Sequence, residues 1–148
     1  MCIRDRVFDL DLLPLLMQRI LESPYARPEI ALVWHAGEPL TLPTSWYDEA
    51  TVILHRSLEQ FNAQGLDFTQ HVQTNATLIN DAWCDCFRRN KIVVGISVDG
   101  HRRFRNGRGS HAMAMKGIEA LHRNDVPFHC ISVAVSYTHL TLPTTPYV

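Results

Sequence analysis

The stretch IALVWHAGEPL, Ile30–Leu40, decides the fold. Ile30–Trp34 is a short unbroken apolar run, which suits a strand buried on both faces. From His35 onward the chain turns polar, and Gly37 and Pro39 are turn formers, so HAGEPLTLPT reads as a loop. Beyond it, Ser45 with Asp48 three residues later predicts a capping box. Trp46, Ala50, Ile53, Leu54, Leu58 and Phe61 then recur on one face of a long helix, with Gly65 placed to end it. Strand, loop and helix in that order make one α/β unit.

The same grammar extends both ways. Upstream, Leu13, Met17, Ile20 and Leu21 predict a helix over about 11–22, with Pro14 held in its first turn and SPYARP breaking it. Downstream, FTQHVQ (Phe68–Gln73) reads as a strand. Asn80 can cap a short helix with Trp83 and Phe87 on one face. IVVGISV (Ile92–Val98) is the clearest buried strand. Ser110 can cap a helix bearing Met113, Gly117, Ile118 and Leu121, and VPFHCISV (Val126–Val133) is a fourth strand. Helix and strand alternate four times, which predicts a parallel sheet with right-handed crossovers. A barrel, part of a barrel and an open doubly wound sheet all satisfy that pattern. In each, function collects in the loops that follow the strands.

Composition narrows the classes. Net charge is −1 in 148 residues, so no nucleic acid partner is expected, although HRRFRNGRG is a local basic cluster. No apolar run approaches the ~18 residues of a membrane span, and no membrane partner is expected. Cys84, Cys86 and Cys130 form an odd, unpatterned set, which points to a reducing, cytoplasmic setting rather than a disulfide framework. The two ends read differently from the rest. Met1–Asp5 can be encoded as ATG TGT ATA AGA GAC, whose reverse complement translates as Val-Ser-Tyr-Thr-His, which is Val135–His139. Such an inverted repeat resembles a transposon adapter end. The expectation is therefore that residues 1–6 and 135–148 are non-native read-through flanking a core at 7–134.

Polar clusters follow three consecutive strands: His35-Ala36-Gly37-Glu38-Pro39, Gln73-Thr74-Asn75, and Ser97-Val98-Asp99-Gly100. Parallel strands would bring them to one face, where rigid strand ends let side chains from neighbouring strands converge. Taken singly, each also has a structural reading: a tight turn at Gly37, a stiffened turn at Pro39, or a left-handed residue at Asn75. His35 and His71 lack a metal-ligand partner at helical spacing and read as structural. Cys84 and Cys86, two apart on a helix, point in different directions, and the cysteines read as buried small residues.

VWHAGEPL, QTNATLI and GISVDG together resemble the successive strand-end motifs of radical S-adenosylmethionine enzymes. The likeness is to the peptide-modifying, SPASM-type subgroup, which includes sulfatase maturases and the cyclophane-forming maturases of ribosomal peptide biosynthesis. It covers nearly all of residues 7–134. The resemblance implies a fragment of a partial (β/α)6 TIM-like barrel with parallel strands. It implies S-adenosylmethionine as cofactor, its amino group taken by backbone carbonyls of Ala36, Gly37, Glu38 and Pro39, with Glu38 also anchoring the loop. Gln73, Thr74 and Asn75 would line the cofactor or substrate side. Ser97 and Asp99 would lie near the ribose or carboxylate, with Ser97 in direct contact.

The resemblance also implies a 4Fe-4S cluster, an electron donor such as a flavodoxin or ferredoxin, and a ribosomal peptide precursor or protein as substrate. A 5′-deoxyadenosyl radical would take hydrogen from a peptide side chain, the barrel supplying orientation and exclusion of water. This chain departs from the pattern in three ways. The CxxxCxxC motif that holds the cluster is absent, so the fragment as written is expected to be inactive. SVDGHRRFRNGRGSH is short, and Arg102, Arg103 and Arg105 read as a solvated loop. Later strands and a cysteine-rich C-terminal domain are missing. Two other classes fit the strand-end carboxylates: a TIM-barrel hydrolase using Glu38 and Asp99 as acid and base, and a non-catalytic binding module. The hydrolase requires those carboxyl groups to face each other across a pocket.

Overall fold

A computed structural model describes residues 7–61, 63, 65–97 and 110–132. A short 3-10 helix, Leu10–Leu12, leads into helix α1 (Leu13–Leu21), then β1 (Glu29–Trp34), α2 (Thr44–Gln60), β2 (Asp67–Thr74), α3 (Asp81–Arg89), β3 (Ile92–Ser97), α4 (Ser110–Arg123) and β4 (Phe128–Ile131). The strands pair in parallel in the order β1-β2-β3-β4. Sequential order has no reversal point, so right-handed crossovers put every helix on one face. That is the winding of a barrel, and it removes the doubly wound alternative.

The sheet is therefore two-faced. Ile30, Leu32 and Trp34 of β1, Val72 of β2 and Val94 and Ile96 of β3 turn toward the helices. The other face carries Val33, His71, Gln73, Val93, Gly95, Ser97, His129 and Ile131. The expectation that Ile30–Trp34 is buried on both faces fails: the strand alternates exposed and half-buried residues. Its apolar run was a poor guide because β1 is an edge strand whose second face has no covering layer among the described residues.

Two apolar clusters fill the helix side. One packs Leu13 and Met17 of α1 against Ala50, Leu54 and Leu58 of α2. The other joins Tyr47, Trp83, Phe87, Val94, Ile96 and Leu121 across α2, α3, β3 and α4. A run of edge-to-face rings, Trp34–Trp46 (5.1 Å), Trp46–Tyr47 (5.0 Å) and Tyr47–Trp83 (5.3 Å), ties β1 to α2 and α3.

Several local expectations change. No capping box forms at Ser45. Pro43 is the N-cap of α2, and the Asp48 carboxylate instead accepts bonds from Arg89 and Asn90 at the end of α3. Helix α2 stops at Gln60, short of Gly65. Asn80 does cap α3, accepting from the Trp83 amide at 3.1 Å. On α4 the predicted Gly117 and Leu121 are buried and Ile118 packs half-buried against the core, joined by Ala114 and Ala120, while Met113 is exposed. Cys84 and Cys86 are both fully buried despite their spacing, because α3 is covered on both flanks by α2 and α4. Cys130, on β4, is exposed rather than buried.

Candidate functional site

The loop after β1 is built around a backbone that ordinary residues avoid. Ala36 has φ +83° and Gly37 φ +65°. A left-handed alanine costs about 1–2 kcal/mol, so something must hold the turn. Glu38 does so. It begins a 3-10 helix, Pro39–Thr41, and its Oε1 accepts the Leu40 amide at 3.2 Å. The same oxygen accepts the Thr74 hydroxyl at 2.5 Å, and Oε2 accepts the Asn75 amide at 3.0 Å. One carboxylate thus clips the loop after β1 to the end of β2.

The carbonyls of this loop fall into two classes. That of Glu38 accepts the Thr41 amide (3.2 Å) and the Thr41 hydroxyl (2.7 Å). That of Pro39 accepts the Leu42 amide (3.2 Å) and the buried Tyr47 hydroxyl (2.9 Å). A carbonyl oxygen has two lone pairs, so both are filled. Among the described residues, nothing donates to the carbonyls of Ala36 or Gly37. Gly37 is exposed, with open space where a side chain would stand. The loop therefore presents two available acceptors, not four, at the C-terminal end of the sheet.

The end of β2 divides in the same way. Gln73 lies on the face away from the helices, and its Nε2 donates to Ser97 Oγ at 2.8 Å. Thr74 is turned inward and is 2% exposed. Its hydroxyl donates to Glu38 and accepts the Ala76 amide at 3.1 Å. Asn75 closes a turn, its Oδ1 accepting from the Thr77 amide and hydroxyl. The left-handed residue is Ala76 (φ +63°), not Asn75. Ala76 is fully buried beneath α4, where Gly117 admits it: a Cβ on Gly117 would stand 2.1 Å from the Ala76 carbonyl oxygen. Gln73 and Ser97 thus meet on the open face, while Thr74, Asn75 and Glu38 brace the loop behind it. Asp99, Arg102, Arg103 and Arg105 lie outside the described residues.

Glu38 does not meet the hydrolase requirement, because both its oxygens are occupied by the fold. Burial, and secondarily the Glu38 carboxylate, push the Tyr47 phenol well above its usual range. Burial likewise pushes the Cys84 and Cys86 thiols up, away from the thiolate a metal would need. Among the described residues no three His, Cys, Asp or Glu side chains gather as metal ligands, Cys84, Cys86 and Cys130 included. His71 bonds Thr69 Oγ1 at 3.1 Å on the open face, and His35 is exposed just past β1. No described helix is long and apolar enough to cross a membrane.

Two functional-looking residues escaped the sequence reading. Tyr47, whose hydroxyl fills the Pro39 carbonyl, gave no signal beyond an aromatic in a helix. Gly95 did give one: an isolated glycine inside a strand marks the close approach of another group. Here the Gln73 and His129 side chains lie over it.

No profile of a known protein family matches the chain. It is 44% identical, over a 131-residue alignment covering 84% of this chain and 33% of the relative, to "Uncharacterized protein sll1766" of Synechocystis sp.. It is 36% identical over 121 residues, 77% of this chain and 29% of the relative, to the serine-type anaerobic sulfatase-maturating enzyme of Klebsiella aerogenes. Among solved structures, "Native anSMEcpe with bound AdoMet and Kp18Cys peptide" superposes with a TM-score of 0.67 at 20% identity, covering 87% of this chain and 37% of that one. The chain spans about a third of the length of each of these proteins.

Proposed function

We infer that this chain, a homologue of the anaerobic sulfatase-maturating enzymes with their fold, is a segment of a radical S-adenosylmethionine maturase that acts on a peptide or protein. The observation that carries the reading is the loop after β1: Ala36, strained at a positive φ, and Gly37, which adopts one freely, hold their carbonyls clear while Glu38 locks the loop to β2. An ammonium group needs several acceptors in a fixed array, and a turn whose shape is set elsewhere supplies one. Ala36 and Gly37 would take the amino group of S-adenosylmethionine, and Glu38 and Pro39 would shape the turn. Ser97 on the open face, with Asp99, would take the rest of the cofactor, and Gln73 beside Ser97 would line the cofactor or substrate side. When bound, the cofactor supplies the radical that abstracts hydrogen from the peptide. The residues of this chain bind, orient and help to exclude water. Cluster ligands and the electron donor, a flavodoxin or ferredoxin, would come from outside residues 7–134, and residues 1–6 and 135–148 would be non-native.

The test begins with the source locus, read through from primers outside both ends. An in-frame CxxxCxxC shortly before Val7, with further strand and helix pattern after Ala134, is expected. The enzyme that locus encodes, reconstituted without oxygen, should cleave S-adenosylmethionine to 5′-deoxyadenosine and change the mass of a peptide substrate. A continuous gene lacking those cysteines would sink the reading.

A further inference from the structure

Gln73, Gly95 and His129 are direct partners across β2, β3 and β4, so they form one row on the open face of the sheet. The glycine at the centre of this row leaves room for the side-chain tips on either side of it. A Cβ on Gly95 would stand 2.3 Å from Gln73 Oε1 and 2.8 Å from His129 Nε2, closer than real Cβ contacts come. Two polar tips therefore lean in over a glycine from opposite sides, no more than about 5 Å apart. The Gln73 amide is tethered to Ser97, its Nε2 donating to Oγ at 2.8 Å, with Oε1 on the Gly95 side. No hydrogen bond among the described residues joins that oxygen to His129. The result is a notch walled by the Gln73 amide oxygen and one imidazole nitrogen, floored by bare backbone.

We propose that the Gln73–Gly95–His129 notch binds a backbone peptide group of the substrate, Gln73 Oε1 accepting its N–H and His129 Nε2 donating to its C=O. This rests on the maturase reading and names where the peptide is gripped. An extended peptide residue offers its N–H and C=O along the same edge, which is what exchange with a neighbouring strand requires. That pair matches an acceptor and a donor held a few ångströms apart. The row lies two residues inward of Ser97 along β3, about 7 Å deeper than the strand end. This separates it from the loop carbonyls assigned to the cofactor. Backbone recognition carries no side-chain preference, so the notch would serve to set depth and register of the peptide rather than choose its sequence.

The test uses the full-length enzyme carrying this segment, reconstituted, with a fluorescent Kp18Cys peptide as probe and anisotropy as readout. Removing one hydrogen bond of this kind is expected to weaken peptide binding about tenfold in His129→Ala. His129→Gln, which keeps a donor, should stay within about threefold of the parent. Gly95→Ala fills the notch without removing a polar group and should weaken binding at least as much as His129→Ala. Equilibrium dialysis of S-adenosylmethionine separates the two possible occupants. Cofactor binding weakened with peptide binding intact would overturn the proposal, as would a His129→Ala enzyme within twofold of the parent for peptide, or a parent that binds cofactor but no peptide. Failure of the parent to bind or cleave S-adenosylmethionine would instead overturn the maturase reading itself.

Discussion

Glu38 is the residue whose replacement discriminates most sharply between a structural clip and a catalytic carboxylate. Its two oxygens take three donors: Leu40 N at 3.2 Å, Thr74 Oγ1 at 2.5 Å and Asn75 N at 3.0 Å. Glu38→Ala orphans the Asn75 amide and the buried Thr74 hydroxyl proton, each worth about 1–3 kcal/mol. It also frees the loop that begins at Ala36, whose φ is +83°. The longest of the three bonds, to Leu40, adds little, since that amide opens a helical turn and can find water. The expected loss is about 3–5 kcal/mol, a large share of the roughly 5–15 kcal/mol that holds a typical domain. Glu38→Gln is the gentler probe. Its oxygen still serves Thr74, but its amino group faces the Asn75 N–H, donor against donor, at about 1.5–3 kcal/mol. Urea unfolding of the 148-residue chain, followed by fluorescence of the Trp34–Trp46 pair at 5.1 Å, reads both. With a slope of about 2 kcal/mol/M, the Gln midpoint should fall by about 1 M. A Gln midpoint within about 0.3 M of the parent would refute the clip and restore Glu38 as a carboxylate available for chemistry.

Tyr47→Phe should cost about 1 kcal/mol at neutral pH by loss of its bond to the Pro39 carbonyl, which keeps the Leu42 amide. Because the folded phenol is held protonated, its contribution is full below about pH 10 and is lost as pH rises beyond it. The Phe variant should therefore lose less stability than the parent between neutral and strongly alkaline pH in urea titrations. Gly117→Ala gains about 1 kcal/mol of helix propensity but drives a Cβ to 2.1 Å from the Ala76 carbonyl oxygen. Backbone sits on the far side of that contact, so the melting temperature should fall, and a rise would show that α4 can slide outward. Hydrogen bonds from Arg89 and then Asn90 hold the Asp48 carboxyl below its usual range. A depressed folded value means that its contribution is present above about pH 4 and fades as pH falls. Asp48→Asn should flatten the acid limb of a pH–stability profile, and an unchanged limb would count against the α2–α3 tether.

Much of this was legible from spacing alone. Among the described residues the four strands and four α-helices appear in the predicted order and close to the predicted places, because each βα unit buries its own face against its own neighbour. Pro14 sits in the first turn of α1, and Asn80 caps α3, since both rules depend only on local backbone chemistry. What periodicity could not supply was the second face of the sheet. Ile30–Trp34 reads as doubly buried, yet its partner layer is not its sequence neighbour. Asp48 offers the same lesson: its spacing from Ser45 fits a cap, but Arg89, forty-one residues away, takes the carboxylate. At the site, the motifs located the loop, and the resemblance gave Glu38 an anchoring role. The division of carbonyls depends on Tyr47 and Thr41 reaching back to Pro39 and Glu38, and no pattern in the sequence announces which oxygens are already spent.

The clip from Glu38 to Thr74 and Asn75 has a consequence for assembly. Its acceptor rides on β1 and its donors on β2, which pair through Trp34 and Val72 near their ends. Slipping one strand by a single residue would shift the partners by about 3.3 Å and turn Thr74 to the opposite face. The carboxylate would then find neither donor, and the strained turn at Ala36 would relax. The loop can take its working shape only when the first two strands have met in the correct register. Its two unclaimed carbonyls are therefore held side by side only when those strands are in register.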